Sequence, residues 1–359
     1  MTILTEPIGS IPRPQKLIEA MRASAEGRLA TSELSGLADA ALSDTIARFE
    51  ATGSPVITDG EQTKPSFATY PIHGAHNLAP GGVTIPFADG HTRQLPCLTA
   101  GPFRYQTFAS TYLKAAQKLT KRPLKQAVIS ASALSLLYPA DGIPGYSREQ
   151  FEEDLINEAE ADIRGCLEAG AVNVQIDFTE GRLALKLDPS GGLLDQFIHL
   201  NNRVLARFSD NDRLRLGVHS CPGGDHDATH SADVDYAGLL PRLFKLNVTN
   251  FYLQMASEKD RAHSLKLVRE NLQPNHRVFV GVIDPISQTL ETAETVCERV
   301  LEAAEYIPVE QLGTTDDCGF SPFADDISTA RDLAFSKIAA RVKGTAMAAE
   351  RLAKRMNQR

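Results

Sequence analysis

Between Leu214 and Asp225 the chain reads Leu-Arg-Leu-Gly-Val-His-Ser-Cys-Pro-Gly-Gly-Asp, a short apolar run that delivers a His and a Cys and is then stopped by Pro-Gly-Gly. Side chains alternate along a strand, so His219 and Cys221 share one face while Ser220 points the other way. An imidazole nitrogen and a thiolate on one face suit zinc, whose four-coordinate shell leaves two further positions for other residues or for substrate. His-x-Cys alone is a weak signal, and its plain alternative is a buried Cys beside a hydrogen-bonded His. The sequence holds five Cys, an odd count at wide spacing that suits reduced thiols rather than a disulfide framework. Cys166 and Cys297 fall inside helical patterns, and Cys97 follows a Pro in a hairpin-like stretch. Cys221 and Cys318 stand in polar, turn-rich sequence, where a ligating thiol belongs.

Such groups need a scaffold, and the chain supplies a regular one. Three prolines between Glu6 and Pro14 forbid a helix there, so the chain opens extended. A helical stretch is expected over 14–52, a brief strand at Pro55–Glu61, and a Pro/Gly-rich region over 65–100 with a hairpin turn at Ala88–His91. A loop this long is usually functional. Next come a helix at 103–120, a strand at Leu124–Ser130, and a helix at Phe151–Ala169 announced by the capping-box pattern Ser147-Arg-Glu-Gln150. Five more strands are expected at Asn173–Asp177, 214–219, Asn250–Gln254, Arg277–Ile283 and Gln311–Thr315. Helices come after them at 191–208, 235–245, 258–271, 288–304 and 325–355. Apolar strands alternating with amphipathic helices are the mark of a parallel sheet covered on both faces. Without a Gly-x-Gly-x-x-Gly after the first strand, a (β/α)8 TIM barrel is expected rather than a doubly wound sheet. Nine candidate strands are one too many, and the segment at 96–100 is set aside. No break in composition suggests a linker, so residues 1–359 are expected to form a single domain.

Barrel enzymes carry their chemistry at the C-terminal ends of the strands. Here those ends bear Glu61, Asp177, His219 with Cys221, Gln254, Asp284 and Cys318. A single carboxylate at a strand end is ordinarily a helix cap or a solvated loop residue; six polar ends on one rim are harder to dismiss.

The net charge of −8 argues against nucleic-acid or anionic-membrane binding, and the basic run at 351–359 is expected to be a helix end where cations suit the dipole. With no secretory signal pattern and no apolar run long enough to span a bilayer, a cytoplasmic location is expected. An apolar content of 42% supplies a full core.

The segments Ile8-Gly9-Ser10-Ile11-Pro12, Asp59-Gly60-Glu61, Gln175-Ile176-Asp177, His219-Ser220-Cys221, Gly281-Val282-Ile283-Asp284 and Asp317-Cys318-Gly319-Phe320 occur in the order found in the catalytic barrel of cobalamin-independent methionine synthases. The chain resembles that family over nearly its whole length and is similar to its single-barrel members. The resemblance implies zinc held by His219, Cys221 and Cys318. The family's fourth ligand, a Glu, falls on Gln254, which is a departure. The resemblance further implies homocysteine held by Gly9, Ser10, Glu61 and Asp177. The His or Lys that the resemblance leads one to expect soon after Asp284 is absent, since Pro285-Ile286-Ser287 comes next; Asp284 itself is the catalytic candidate. The family's donor-stacking Trp is missing because the chain has no Trp; Tyr138 is nearest to that position.

The activity this resemblance implies is zinc-dependent transfer of a methyl group, from 5-methyltetrahydrofolate or methylcobalamin, to homocysteine, giving methionine. Two alternatives stay open. Epoxyalkane:coenzyme M transferases, a sister group, activate a different thiol with a His-Cys-Cys zinc. In a binding protein the zinc would be purely structural, with four closed protein ligands.

Overall fold

The computed structural model describes residues 2–358. Its central sheet joins seven strands in the order Leu4–Thr5, Leu312–Asp316, Arg277–Ile283, Asn250–Leu253, Leu216–Ser220, Val174–Asp177 and Gln126–Ile129. Every neighbouring pair is parallel. The eighth stave is the segment around Ile57, bridged in parallel to Leu124. It closes the ring toward the N-terminal segment through Ile11 N–H to Gly60 O at 3.0 Å and Thr58 Oγ1 to Gly9 O at 2.9 Å. The expected barrel is therefore present, with one stave corrected. Pro55–Glu61 is a single bridge rather than a strand, because the chain leaves the pleat at Gly60 and Glu61, both at positive φ (66° and 55°).

The strand sequences explain the two-sided burial. Val174, Ile176, Leu216, Val218, Phe251, Leu253, Val278, Val280 and Val282 join the large core against the helices. The alternate residues turn inward, where Ile8, Tyr252 and Phe279 form a separate small cluster. Polar side chains fill the rest of the interior. Lys125 Nζ donates to Gln175 Oε1 at 2.8 Å, and Gln175 Nε2 donates to Asp177 Oδ1 at 2.7 Å. Behind Lys125 lies Glu6 at 3.7 Å, which also accepts from Tyr252 at 2.7 Å and Asn173 at 2.6 Å. Burial pulls Lys125 down to about 8, against the pull of Glu6. Replacing it with Met takes the nearest side-chain cation from the buried Glu6 carboxylate and leaves it only the neutral donors Tyr252 and Asn173, so Lys125→Met is expected to cost about 3–5 kcal/mol. Urea unfolding measures this, and a loss below about 1 kcal/mol would show that the interior ion pair holds nothing.

Elsewhere the helices obey the expected periodicity with shifted ends. The capping box at Ser147 starts the helix Arg148–Glu168, with reciprocal Ser147 and Gln150 bonds. The stretch expected as one helix over 14–52 is two, Gln15–Ala25 and Thr31–Ala51, parted at Gly27, whose φ is 71°. The helix expected at 103–120 contracts to Ser110–Gln117, because Phe103, Tyr105 and Ala109 give their N–H groups to Asp154, Glu158 and Asp162 of the next helix. The last helix begins only at Arg331. Three short helices, Ala131–Ser135, Glu180–Leu187 and Asp210–Arg213, add to the expected set. The segment set aside at 96–100 contributes Cys97–Leu98, paired with Leu78–Ala79 outside the barrel. Among the described residues no helix is long and apolar enough to cross a membrane.

The 65–100 region crosses the barrel mouth. Its hairpin, Thr84–Pro86 against Thr92–Gln94, turns through the expected Ala88–His91 segment. Arg93 latches it to buried Asp225 and to Asp325, while Ala88 N–H reaches Thr229 O at 3.0 Å.

Candidate active site

His219 and Cys221 leave the same strand end on one face, and the loop after Leu312–Asp316 brings Cys318 to meet them. One ligand atom from each of the three lies within 4.8 Å of the others. The imidazole is nearly inaccessible, with its Nδ1 3.3 Å from the Tyr252 carbonyl. A carbonyl can only accept, so Nδ1 carries the proton and Nε2 presents a lone pair. That buried Nε2 has no hydrogen-bond partner. The two sulfurs stand 3.3 Å apart as free thiols, and Gly223 N–H points at Cys221 Sγ from 3.4 Å. The thiols titrate as a pair. The hydrogen bond from Cys221 holds Cys318 well below the usual thiol range, while the same bond pushes Cys221 up. A cation between them would favour loss of the second proton. An orphaned imidazole nitrogen beside two thiols is a donor set fit for zinc.

The cavity at this cluster is lined by Gly9, Ser10, Glu61 and Asp177 as well as by His219 and Cys318. Ser10 is pressed so close to the Cys318 loop that a Cβ at Gly319 would lie 2.1 Å from its Oγ. Glu61 is held in its left-handed conformation by Asp59, which accepts its N–H at 3.1 Å, and by Arg13, which donates to its carbonyl at 2.6 Å. Buried Lys64 pairs with the Glu61 carboxylate at 2.9 Å and ties it to Ala127 O. Burial lifts Asp177 to about 6, opposed by the field of His219. The same cavity is also lined by the apolar side chains of Phe67, Ile85, Phe87, Pro322 and Phe323, together with Arg93 and His230.

Three residues singled out in the sequence do not line that cavity. Gln254 is spent: its Oε1 accepts from Arg182 at 2.7 Å and its Nε2 donates to Ser257 at 2.6 Å. Arg182 is itself paired with Glu258 at 2.7 Å. Asp284 caps its own turn by accepting from Ile286 and Ser287 N–H, and with Gln254 and Cys318 it lines a second cavity. Tyr138 does not line the cavity; its hydroxyl donates to Tyr146 O at 2.7 Å and its ring packs on Phe151.

Sequence reasoning misses Lys64, Arg93, Asp225, His230 and the phenylalanine wall. Only Lys64, three residues past Glu61, leaves a local trace. Asp317 is legible as part of a motif, and its work is structural. It accepts from the N–H groups of Met255, Ala256 and Ser257, clamping the Cys318 loop to the end of Asn250–Leu253, two strands away.

Fold and site together define the class: a (β/α)8 barrel enzyme with an imidazole and two thiols gathered at the C-terminal ends of its strands. The chain belongs to the cobalamin-independent synthase family, whose catalytic-domain model matches residues 3–335. It is 22% identical over 348 residues to the methionine synthase of Sulfurisphaera tokodaii, covering 97% of this chain and 93% of that one. It is 24% identical over 324 residues to the 5-methyltetrahydropteroyltriglutamate–homocysteine methyltransferase of Vibrio vulnificus, covering 88% of this chain but 39% of that longer one. A B12-independent methionine synthase from Shewanella sp. W3-18-1, solved in complex with selenomethionine, shares the fold with a TM-score of 0.78 at 20% identity, over 99% of this chain and 100% of that one.

Proposed function

We propose that this protein is a zinc-dependent S-methyltransferase that converts homocysteine to methionine in the cytoplasm, with His219, Cys221 and Cys318 as the zinc ligands. The observation that carries the reading is the convergence of those three ligand atoms beside a cavity also lined by Ser10, Glu61 and Asp177. A free thiol of pKa about 8.5 is only a few per cent thiolate at neutral pH. Zinc, when bound, makes a coordinated thiol a thiolate.

The protein's own groups do the rest. Glu61 and Asp177 receive the ammonium of the amino-acid thiol, and Ser10 lies at the same end for its carboxylate. Gln175 and Lys125 fix the direction of Asp177 from below. The Tyr252 carbonyl holds His219 in the tautomer that offers Nε2. The apolar side chains of the cavity exclude water from the thiolate. A sulfonate thiol finds no unpaired cation here among the described residues, since Lys64 is paired with Glu61 and Arg93 with two aspartates. Calorimetric titration of zinc-loaded protein tests this: homocysteine binds with release of about one proton, and 2-mercaptoethanesulfonate binds more weakly. The reverse order of affinity overturns the reading.

Gln254 keeps its amide away from the metal because Arg182 and Ser257 already hold both ends. A neutral amide oxygen also competes poorly with thiolates for a borderline-soft ion. Gln254→Ala is therefore expected to change the zinc Kd far less than His219→Ala. A competition titration with a chromogenic chelator compares them, and equal losses would make Gln254 a ligand.

A further inference from the structure

Resting on the reading of Glu61 and Asp177 as the ammonium site of an amino-acid thiol, we infer that Lys64 is the positioning residue that makes Glu61 a specific receptor for that ammonium. Lys64 does not itself line the cavity, so what it contributes to the substrate passes through the carboxylate beside it. The left-handed turn at Gly60 and Glu61 is closed by Lys64 N–H to Glu61 O at 3.2 Å, which brings the lysine side chain back to that of Glu61.

Several elements fix the position of the Lys64 ammonium. Nζ donates to Glu61 Oε1 at 2.9 Å and to Ala127 O, on the strand Gln126–Ile129, at 3.0 Å. It stands 4.6 Å from the centre of the Tyr70 ring and 5.7 Å from that of Tyr112, two rings that meet edge to face at 5.9 Å. Tyr70 is held in turn by the bond from its hydroxyl to Asp162 of the helix Arg148–Glu168. Lys64 is fully buried, and a desolvated ammonium over ring faces is held more firmly than an exposed one. A flexible four-carbon side chain thereby becomes a fixed point charge.

That charge decides which oxygen of Glu61 is left for substrate. Oε1 is spent on Lys64, and no donor among the described residues reaches Oε2, although Glu61 lines the cavity. Asp177 matches it: Oδ1 is spent on Gln175, and among the described residues Oδ2 has no donor. One acceptor oxygen from each carboxylate remains for one ammonium. The charges count the same way. Asp59, the other carboxylate of the turn, spends Oδ1 on Glu61 N–H, lies off the cavity and is pushed up by burial toward its neutral form. Glu61 and Asp177 repel each other, and Lys64 offsets one of them. The pair then keeps one negative charge, which a substrate ammonium balances and a thiol without an amine does not. Taking the charge from Lys64 leaves a buried carboxylate without its cation; it gains a proton or turns away, and either change loses the ammonium.

The test measures by calorimetry the binding of homocysteine and of 4-mercaptobutyrate, the same thiol without its amine, to zinc-loaded protein. The parent is expected to prefer homocysteine by at least about tenfold. Lys64→Met should cut that preference roughly five- to tenfold through weaker homocysteine binding alone, with 4-mercaptobutyrate held within about twofold and metal content unchanged. In a Glu61→Gln background Lys64→Met should shift homocysteine by less than about twofold, since the carboxylate it acts through is gone. Where Lys64→Met does not fold, Lys64→Gln, which keeps a hydrogen-bond donor and removes only the charge, is read with the same expectations. An unchanged preference, an equal loss for both thiols, or the full loss of homocysteine affinity in the Glu61→Gln background overturns the role of Lys64 and leaves the ammonium site standing. A parent protein that binds both thiols equally overturns the ammonium site itself, and the inference falls with it.

Discussion

Cys318→Ser is expected to empty the metal centre and abolish methyl transfer while the barrel stays folded. Cys318 sits in the loop after Leu312–Asp316, outside the apolar core, so its sulfur holds no packing that the fold depends on. Its loss removes one of only two thiolates. Losing a mere supporting partner of a metal ligand costs 10–100-fold in affinity, so losing the ligand should weaken zinc by more than about 100-fold. The clamp that Asp317 makes to residues 255–257 is untouched, which keeps the loop in place. Cys221→Ser should behave alike. Metal analysis after dialysis, with far-UV circular dichroism beside it, checks both halves; full zinc in the Ser variants would mean the ligands lie elsewhere.

The second large effect is on thiol binding. Asp177→Asn keeps the size of the side chain and removes its charge, deleting a buried charge-assisted hydrogen bond worth about 1.5–3 kcal/mol. The dissociation constant of homocysteine should rise roughly 10- to 150-fold, with zinc content unchanged. A pH signature goes with it. Burial lifts Asp177 to about 6 in the folded protein. Its charge is therefore present above that value and lost as the pH falls through it, so affinity should decline below pH 6 in the parent protein. The Asn variant should lose that decline. Identical constants for the two proteins at pH 7 would take Asp177 out of the ammonium site.

How much of the fold and site is legible in the sequence depends on whether a residue's partner is near along the chain. His219 and Cys221 can be read because strand periodicity puts them on one face two residues apart. The barrel can be read because its staves are continuous apolar runs, and the structure shows why the inward positions tolerate Lys125, Gln175 and Tyr252: they are satisfied by one another and by Glu6. The stave around Ile57 cannot be read correctly, since the left-handed turn at Gly60 and Glu61 is fixed by Asp59 and by Arg13 from another segment. Gln254 is recognisable as a weak donor, but what occupies it is Arg182, 72 residues upstream. Tyr138 is suggested by position alone, and its ring turns to Phe151 instead. The Phe67, Phe87 and Phe323 wall exists only once the hairpin is latched by Arg93 to two distant aspartates.

The central claim is that the His219, Cys221 and Cys318 cluster is a zinc site that takes the substrate's sulfur. X-ray absorption at the zinc edge, recorded with and without saturating homocysteine, addresses it most directly. The account predicts one nitrogen and two sulfurs from the protein plus a light-atom ligand, changing to one nitrogen and three sulfurs when the thiol is added. A zinc shell already closed by four protein ligands, with the same spectrum in the presence of homocysteine, would contradict it.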